Sequence, residues 1–344
     1  MKLRLHRVDL PLKYVFINAR REVSVVRTVV VELEQDGLRG HGEAYEDSYY
    51  GIAVEDIYAQ IERCREKIEN YTLADPVAFW NYLEPMLGRK TFAQSAVDCA
   101  AHDLWGKMWN RSVWKLWGLS RTTSPLSSRS VGINFQARLE ERFADIPDWP
   151  IYRIKLGSRR DVDTLRYLRE QTDATFFVDC NGGWTLNKAV DMIEPLKEFG
   201  VELLEQPLNG HDFEGMAKLK KAMQKKECSI PIFADEAWRT VDDFERCAEV
   251  YDGVNIKLSK CGGLTPVRAV IEQARALGLK VAGANSVESP IGASAMAQVA
   301  PLLDYIGVDG PLLIDKKIGV GIRLNKGKIM YPDEGGNCVR AAFR

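Results

Sequence analysis

The chain has 344 residues, and its 47 Lys and Arg stand against 48 Asp and Glu for a formal net charge of -1. So even a balance creates no global field to gather nucleic acid or an acidic membrane, and no apolar run reaches the roughly 18 residues of a membrane span. The N-terminal MKLRLHRVDLPLKYVF alternates charged with apolar residues, so a cytoplasmic setting is expected, and seven scattered cysteines without a CxxC pair are expected to be reduced core residues.

At this length one large barrel or two domains are the natural outcomes. Residues 1 to about 46 alternate in period two, and VRTVVVELEQDGLRGHGEA predicts two strands joined at Asp36-Gly37, part of an antiparallel meander. The period then changes. Ile57, Ile61, Cys64 and Ile68 recur at helical spacing, and FAQSAVDCAAHDLWGKMW is a second apolar-faced helix, so this region predicts a small α+β domain. The polar run RTTSPLSSR at 121–129 is the best candidate boundary, which gives domains of 1–122 and 123–325.

Beyond the boundary, strand-length apolar runs alternate with helical stretches. The predicted strands are SVGINF, YRIKL, ATFFVD, VELLE, PIFAD, GVNIKL, KVAGA and YIGVD, and Thr265-Pro266 reads as N-cap and first residue of a later helix. Eight strands with helical crossovers fit a parallel α/β barrel better than an open sheet, and no GxGxxG or GxxxxGK[ST] phosphate loop follows any of them.

In a parallel barrel the C-terminal ends of the strands build the functional face. Here those ends carry Arg153 and Lys155, Asp179 and Asn181, Glu205, Asp235 and Glu236, Lys257, and Asp309. Asp179, Glu205 and Asp235 are 26 and 30 residues apart, one βα unit each, and should converge from neighbouring strands. Three carboxylates without thiolates or histidines suit a hard divalent ion, magnesium first and manganese second. Arg153 and Lys155 share one face of their strand, where like charge and burial should lower the Lys155 pKa toward a base's range. Lys257 should face it from the other side of the mouth. Lys260, on the following loop, is expected to be a solvated charge.

These residues resemble the enolase superfamily, in its muconate cycloisomerase branch, through IKLGS, VDCNGGWT, LLEQPL, FADEAW, NIKLSKCGG and the tail GVGIRLNKGKIMYPDEGG. The resemblance implies a modified (β/α)7β barrel with an α+β capping domain that the tail 326–344 completes. It implies Lys155 and Lys257 as the acid/base pair, Asp179, Glu205 and Asp235 as ligands of Mg2+ (or Mn2+), and proton removal next to a substrate carboxylate. Arg153 departs from the family pattern, which has lysine there.

VAGANSVESPIG contains no histidine, which disfavours the mandelate racemase branch. IGVDGPLLI places Asp309 where the dipeptide epimerases carry the second acid of a DxD motif that meets the substrate ammonium, and Gly307 where they carry the first. The implied activity is therefore a dipeptide epimerase, with o-succinylbenzoate synthase, N-acylamino acid racemase and muconate-type cycloisomerase as alternatives. Glu288 and Arg153 are expected at the substrate, Asn181 and Glu236 behind the ligands, with Glu236 orienting Lys257. Side-chain preference is expected from loops at Arg20-Arg21 and Asp47 to Tyr50. The expected partners are a small carboxylate substrate and further copies of the chain.

Overall fold

The computed structural model describes residues 1–342 apart from 89, 135–138, 142, 144, 145, 147 and 317. The chain opens with three antiparallel strands, β1 (Lys2–Ile17), β2 (Glu22–Gln35) and β3 (Leu38–Tyr45), in the spatial order β1-β2-β3. Gln35 pairs with Leu38, and the two residues between them, Asp36 and Gly37, have φ of 52° and 78°. A two-residue hairpin turn of this hand needs positive φ at both positions, and Asp-Gly meets that need at small steric cost.

The sheet is held by the helix Thr91–Met108. Gly40 and Gly42, on the same face of β3, lie against Ala100 and Ala96, one helical turn apart. A Cβ on Gly42 would stand 2.0 Å from the Ala96 carbonyl oxygen, and one on Gly40 would stand 2.2 Å from that of Ala100. The helix backbone therefore approaches the strand to a distance that only glycine permits.

The second sheet has eight parallel strands in sequential order: β4 (Arg129–Val131), β5 (Ile151–Lys155), β6 (Thr175–Asp179), β7 (Val201–Glu205), β8 (Ile232–Ala234), β9 (Gly253–Ile256), β10 (Lys280–Ala284) and β11 (Tyr305–Gly307). A bridge between Ser127 and Ile306 brings the first strand to the last and nearly closes the barrel. The first strand is shorter than SVGINF predicts, and Phe135 lies outside the described residues. The reason is tertiary: the Ile133 N–H donates to the Ile17 carbonyl at the end of β1, which draws the chain out of the barrel sheet.

Period two sorts the barrel interior. Phe177, Leu203 and Phe233, with Ala282, form an apolar floor, and Tyr305 meets Phe177 and Phe233 edge to face at 5.3 and 5.4 Å. Two residues further along the same strands stand Asp179, Glu205 and Asp235. The same alternation that buries the aromatic floor thus points the three acids into the mouth above it.

Two carboxylates from the N-terminal region cap barrel helices. Asp98 accepts from the N–H and the hydroxyl of Thr265 at 2.8 and 2.6 Å, at the start of the helix Leu264–Ala276. Glu43 accepts from the N–H groups of Ser289 and Gly292 and from the Ser289 hydroxyl, at the start of Pro290–Ala297. Free N–H groups and the positive dipole end favour an anion at both places. Thr265 is consequently not the N-cap its sequence suggests. The helix begins two residues earlier, at Leu264 with Gly263 as its N-cap, and Gly263, with φ of 123°, would drive a Cβ to 2.3 Å from the Asp98 carboxylate.

All seven cysteines are unpaired, and among the described residues no helix is long and apolar enough to cross a membrane. In the tail, Asn337 donates its N–H to Asp103 and its side-chain amide to the Cys99 carbonyl, both on the helix Thr91–Met108. Replacing Gly42 by Ala forces the helix off the strand, and urea denaturation should show a loss of about 3 kcal/mol, the upper range for overpacking a core. Unchanged stability would show that the helix can withdraw freely.

Candidate active site

Strand register sets the geometry. Lys155 on β5 pairs with Asp179 on β6, and Asp179 pairs with Glu205 on β7, so the three stand abreast. Asp235 follows β8, and Lys257 follows β9 as the residue preceding the short helix Leu258–Cys261. All three acids are buried, Asp179 and Asp235 completely. Burying that much negative charge is costly unless cations and hydrogen-bond donors meet it.

Here they do. The Arg153 guanidinium forks onto Glu205, with Nε to Oε2 at 3.0 Å and Nη2 to Oε1 at 2.7 Å, and reaches Asp179 Oδ2 at 2.5 Å. The Lys155 amine donates to Asp179 and, at 3.1 Å, to Asn181 Oδ1. Lys257 donates to Asp235 Oδ2 at 2.6 Å, and Asn255 donates to Glu205 Oε1 at 2.6 Å. Lys260 holds the other Asp235 oxygen at 2.9 Å and the Asp235 carbonyl at 2.8 Å.

The two facing lysines differ electrostatically. Burial, reinforced by the neighbouring Arg153, pushes the Lys155 pKa down, as expected from sequence. Burial also works against the Lys257 ammonium, but Asp235 outweighs it and holds that pKa above the usual lysine value. Asp235 is also desolvated, yet Lys257 and Lys260 hold its carboxyl well below the usual range.

A cavity of about 300 Å³ opens above this cluster. Lys155, Lys257, Asp235, Asn181, Arg153 and Asp309 all reach its wall, joined from the N-terminal region by Arg20, Tyr45 and Asp47. The expected lysine pair therefore faces one space. Asp179 and Glu205 lie just beneath, covered by Arg153 and Lys155.

Several sequence expectations need correction. Lys260 is not a solvated loop charge: it is 4 % exposed, and its amine lies 3.9 Å from the Trp238 ring centroid. Residues 258–261 close into a helical turn ended by left-handed Gly262, which carries the lysine back under Asp235. Glu236 does not orient Lys257. It lies in the turn after β8, where Asn181 donates to it at 3.2 Å and Arg20 pairs with it.

Glu288 is absent from the cavity wall. It is buried, accepts a bond from Asn285, and is pushed up to about 8 by burial and by Glu43. Asp309 reaches the cavity, but its carboxylate is already met by the Ser130 N–H at 2.7 Å, the Ser130 hydroxyl at 3.0 Å and Arg129 at 3.2 Å. It is thus not a bare acid. Arg153 is committed to the acids beside it, which leaves little of its fork for a substrate.

Sequence reading also passed over Gln206. Its buried amide oxygen accepts the N–H groups of Asp235 and Ala237, both at 3.0 Å, while its NH2 is held by Leu208 and Tyr251. It fixes the backbone that presents Asp235. The Gln-Pro in LLEQPL was its visible sign.

The fit of a divalent ion can be judged from the donors. Among the described residues no three acidic, histidine or cysteine side chains gather closely enough to enclose an ion, because Arg153 and the lysines stand between the acids. The donor chemistry nevertheless fits. The three carboxylates are oxygen donors at one level of adjacent strands. Each is braced from behind, Asp179 by the Asn181 N–H at 2.9 Å, Glu205 by Asn255 and Asp235 by Lys260.

Residues 3–118 match the mandelate racemase / muconate lactonizing enzyme N-terminal domain, and residues 136–339 match the enolase C-terminal domain-like family. An L-Ala-D/L-amino acid epimerase from a Maribacter species is 37% identical over 98% of this chain and 99% of its own length. A protein of the same description from Flavobacterium johnsoniae is 34% identical over 98% of this chain and 99% of its own. In fold the chain is similar to the substrate-liganded L-Ala-D/L-Glu epimerase from Bacillus subtilis, with a TM-score of 0.90, 24% identity and full coverage of both chains. A dipeptide epimerase from Cytophaga hutchinsonii, complexed with Mg and the dipeptide D-Ala-L-Val, has a TM-score of 0.89 at 22% identity, covering 98% of this chain and 95% of its own.

The Glu43–Glu288 pair makes stability depend on pH. Burial raises both carboxyl pKa values, Glu288 from 4.5 to about 8. The folded state therefore binds more protons than the unfolded one, and the favourable contribution is complete below pH 4.5 and lost as pH rises toward 8. Glu288→Gln should match the parent at pH 4.5 and become more stable than it by pH 8, by on the order of 1–3 kcal/mol. Urea denaturation across that range checks it, and a constant difference would disprove it.

Proposed function

The chain belongs to the mandelate racemase / muconate lactonizing enzyme family, and from that premise we propose that it is a dipeptide epimerase, inverting the carbon next to the carboxylate in substrates of the L-Ala-L-X type. The observation that carries this reading is the pair Lys155 and Lys257, at the ends of the second and sixth barrel strands, both lining one cavity. The two relatives described as L-Ala-D/L-amino acid epimerases, similar over nearly the whole chain, support the dipeptide as substrate.

Inversion needs a proton removed from one face and returned to the other, so one base is not enough. Lys155 serves one face and Lys257 the opposite face, and their roles exchange with the direction of reaction. Asp179, Glu205 and Asp235 would hold a magnesium ion, which when bound supplies positive charge beside the substrate carboxylate and makes the adjacent C–H acidic. Manganese, with the same preference for oxygen donors, would serve in its place. Arg153 fixes Glu205 and adds charge of the same sign. The cover formed by Arg20, Tyr45 and Asp47 limits water at the reacting carbon.

One observation favours a second reading. The Asp309 carboxylate is engaged by Arg129 and Ser130, and the position two residues before it is Gly307, so only part of one acid is free for a substrate ammonium. An N-acylated amino acid, which has no ammonium, would suit that wall. Incorporation of α-deuterium, measured in parallel on L-Ala dipeptides and N-succinylamino acids, separates the readings. Exchange confined to the acylated substrates would replace the dipeptide assignment.

Two further outcomes are expected. EDTA should abolish turnover and magnesium should restore it, and Asp235→Asn should weaken ion binding by more than about tenfold while circular dichroism shows the fold retained. Tight zinc binding through thiols would contradict the ligand assignment. In deuterated solvent, Lys155→Ala and Lys257→Ala should each stop epimerisation, yet each should still exchange the α-proton of one isomer, and the two variants should exchange opposite isomers. Full epimerisation by either variant would overturn the two-base mechanism.

A further inference from the structure

Arg20 lies in the connection between β1 and β2, with its side chain 28% exposed, and its guanidinium crosses to the barrel to pair with Glu236 Oε1. The guanidinium also lies 4.2 Å from the ring centroid of Tyr49. The same Glu236 oxygen accepts from the Asn181 amide at 3.2 Å, and Asn181 Oδ1 accepts from the Lys155 amine at 3.1 Å. A continuous line of hydrogen bonds therefore runs from an N-terminal loop to one of the two facing lysines.

The line has no slack at either joint. Asn181 sits in the left-handed region with φ of 46°, and its own N–H is bonded to Asp179, so its amide is presented in one direction. Glu236 is buried next to Asp235, and among the described residues its second oxygen has no hydrogen-bond partner. Take away Arg20, and among the described residues Glu236 loses its salt bridge and keeps the hydrogen bond from the Asn181 amide. Lys155 has two holds. One is Asp179, assigned above to the ion, and the other is Asn181, which is neutral. Lys257 stands outside this line of hydrogen bonds, since its amine donates to Asp235, and it meets Glu236 only through charge.

We propose that Arg20 is a positioning residue for Lys155: seated against the barrel, it holds Glu236, Glu236 orients Asn181, and Asn181 aims the Lys155 amine at one face of the substrate. The loop that covers the cavity thereby reaches one base through hydrogen bonds and the other only through charge. The proposal rests on the two-lysine reading above. It differs from the simpler idea that Arg20 grips the substrate, because a grip would serve both isomers alike.

The test is α-proton exchange into deuterated water with L-Ala-L-Leu and L-Ala-D-Leu, for the magnesium-loaded parent, Arg20→Met and Asn181→Ala. In both variants kcat for the isomer served by Lys155, identified as the one that Lys257→Ala still exchanges, should fall on the order of tenfold. For the other isomer kcat should stay within about twofold of the parent, and KM should change for neither. An equal fall for both isomers, a change in KM alone, or no change overturns the proposal. A crystal structure of Arg20→Met supplies a readout independent of activity: the Asn181–Lys155 bond should be lost, and its retention refutes the line of bonds. If the parent exchanges neither dipeptide, the functional reading fails, and the crystal structure still decides the positioning role.

Discussion

Three buried carboxylates at one level of a barrel mouth dominate the energetics of this protein. Asp179, Glu205 and Asp235 would repel one another strongly where there is little water to screen them. The chain answers with Arg153, Lys155, Lys257 and Lys260, drawn from two strand ends and one helical turn, each bonded to at least one of the acids. Asn181, Gln206 and Asn255 then hold the acids and their backbone in place from behind. Because the cations are needed for burial, they stand at the mouth, where the proposed acid and base chemistry would use them.

That arrangement requires a cover, and the cover is built with the same economy of charge. Asp98 and Glu43 leave the N-terminal sheet and helix to end on the N–H groups of two barrel helices. Each satisfies donors that a helix start leaves open, and each ties the cover to the barrel. Glycine makes the approach feasible: Gly263 admits Asp98, as Gly40 and Gly42 admit the helix Thr91–Met108. Arg20 adds a third tie, directed into the site itself.

Much of the architecture was legible in the sequence because it depends on local periodicity. The eight runs that alternate with helical faces became eight barrel strands in order, and Asp36-Gly37 became the turn its φ requirements predict. Acids spaced one βα unit apart were bound to meet, since each unit returns the chain to the same end of the sheet. The β-strand period of two also explains why Arg153 and Lys155 share a face, and why each acid follows a floor residue by two positions.

What the sequence determined by itself was therefore residue type and repeat: a barrel, three acids and facing lysines at its mouth, and no histidine in the seventh strand segment. Tertiary structure alone decided the pairings, because side-chain partners depend on the direction in which each chain end leaves its strand. Lys260 looked solvated until a helical turn brought it under Asp235, and Thr265 looked like a cap until Asp98 arrived from 167 residues away. Asp309 looked free until Ser130 and Arg129 met it from the opposite end of the barrel sequence. Glu236 found Arg20 across 216 residues. Contacts of that span carry no periodic signal, since they arise only when the cover closes over the barrel and every buried charge must find a partner.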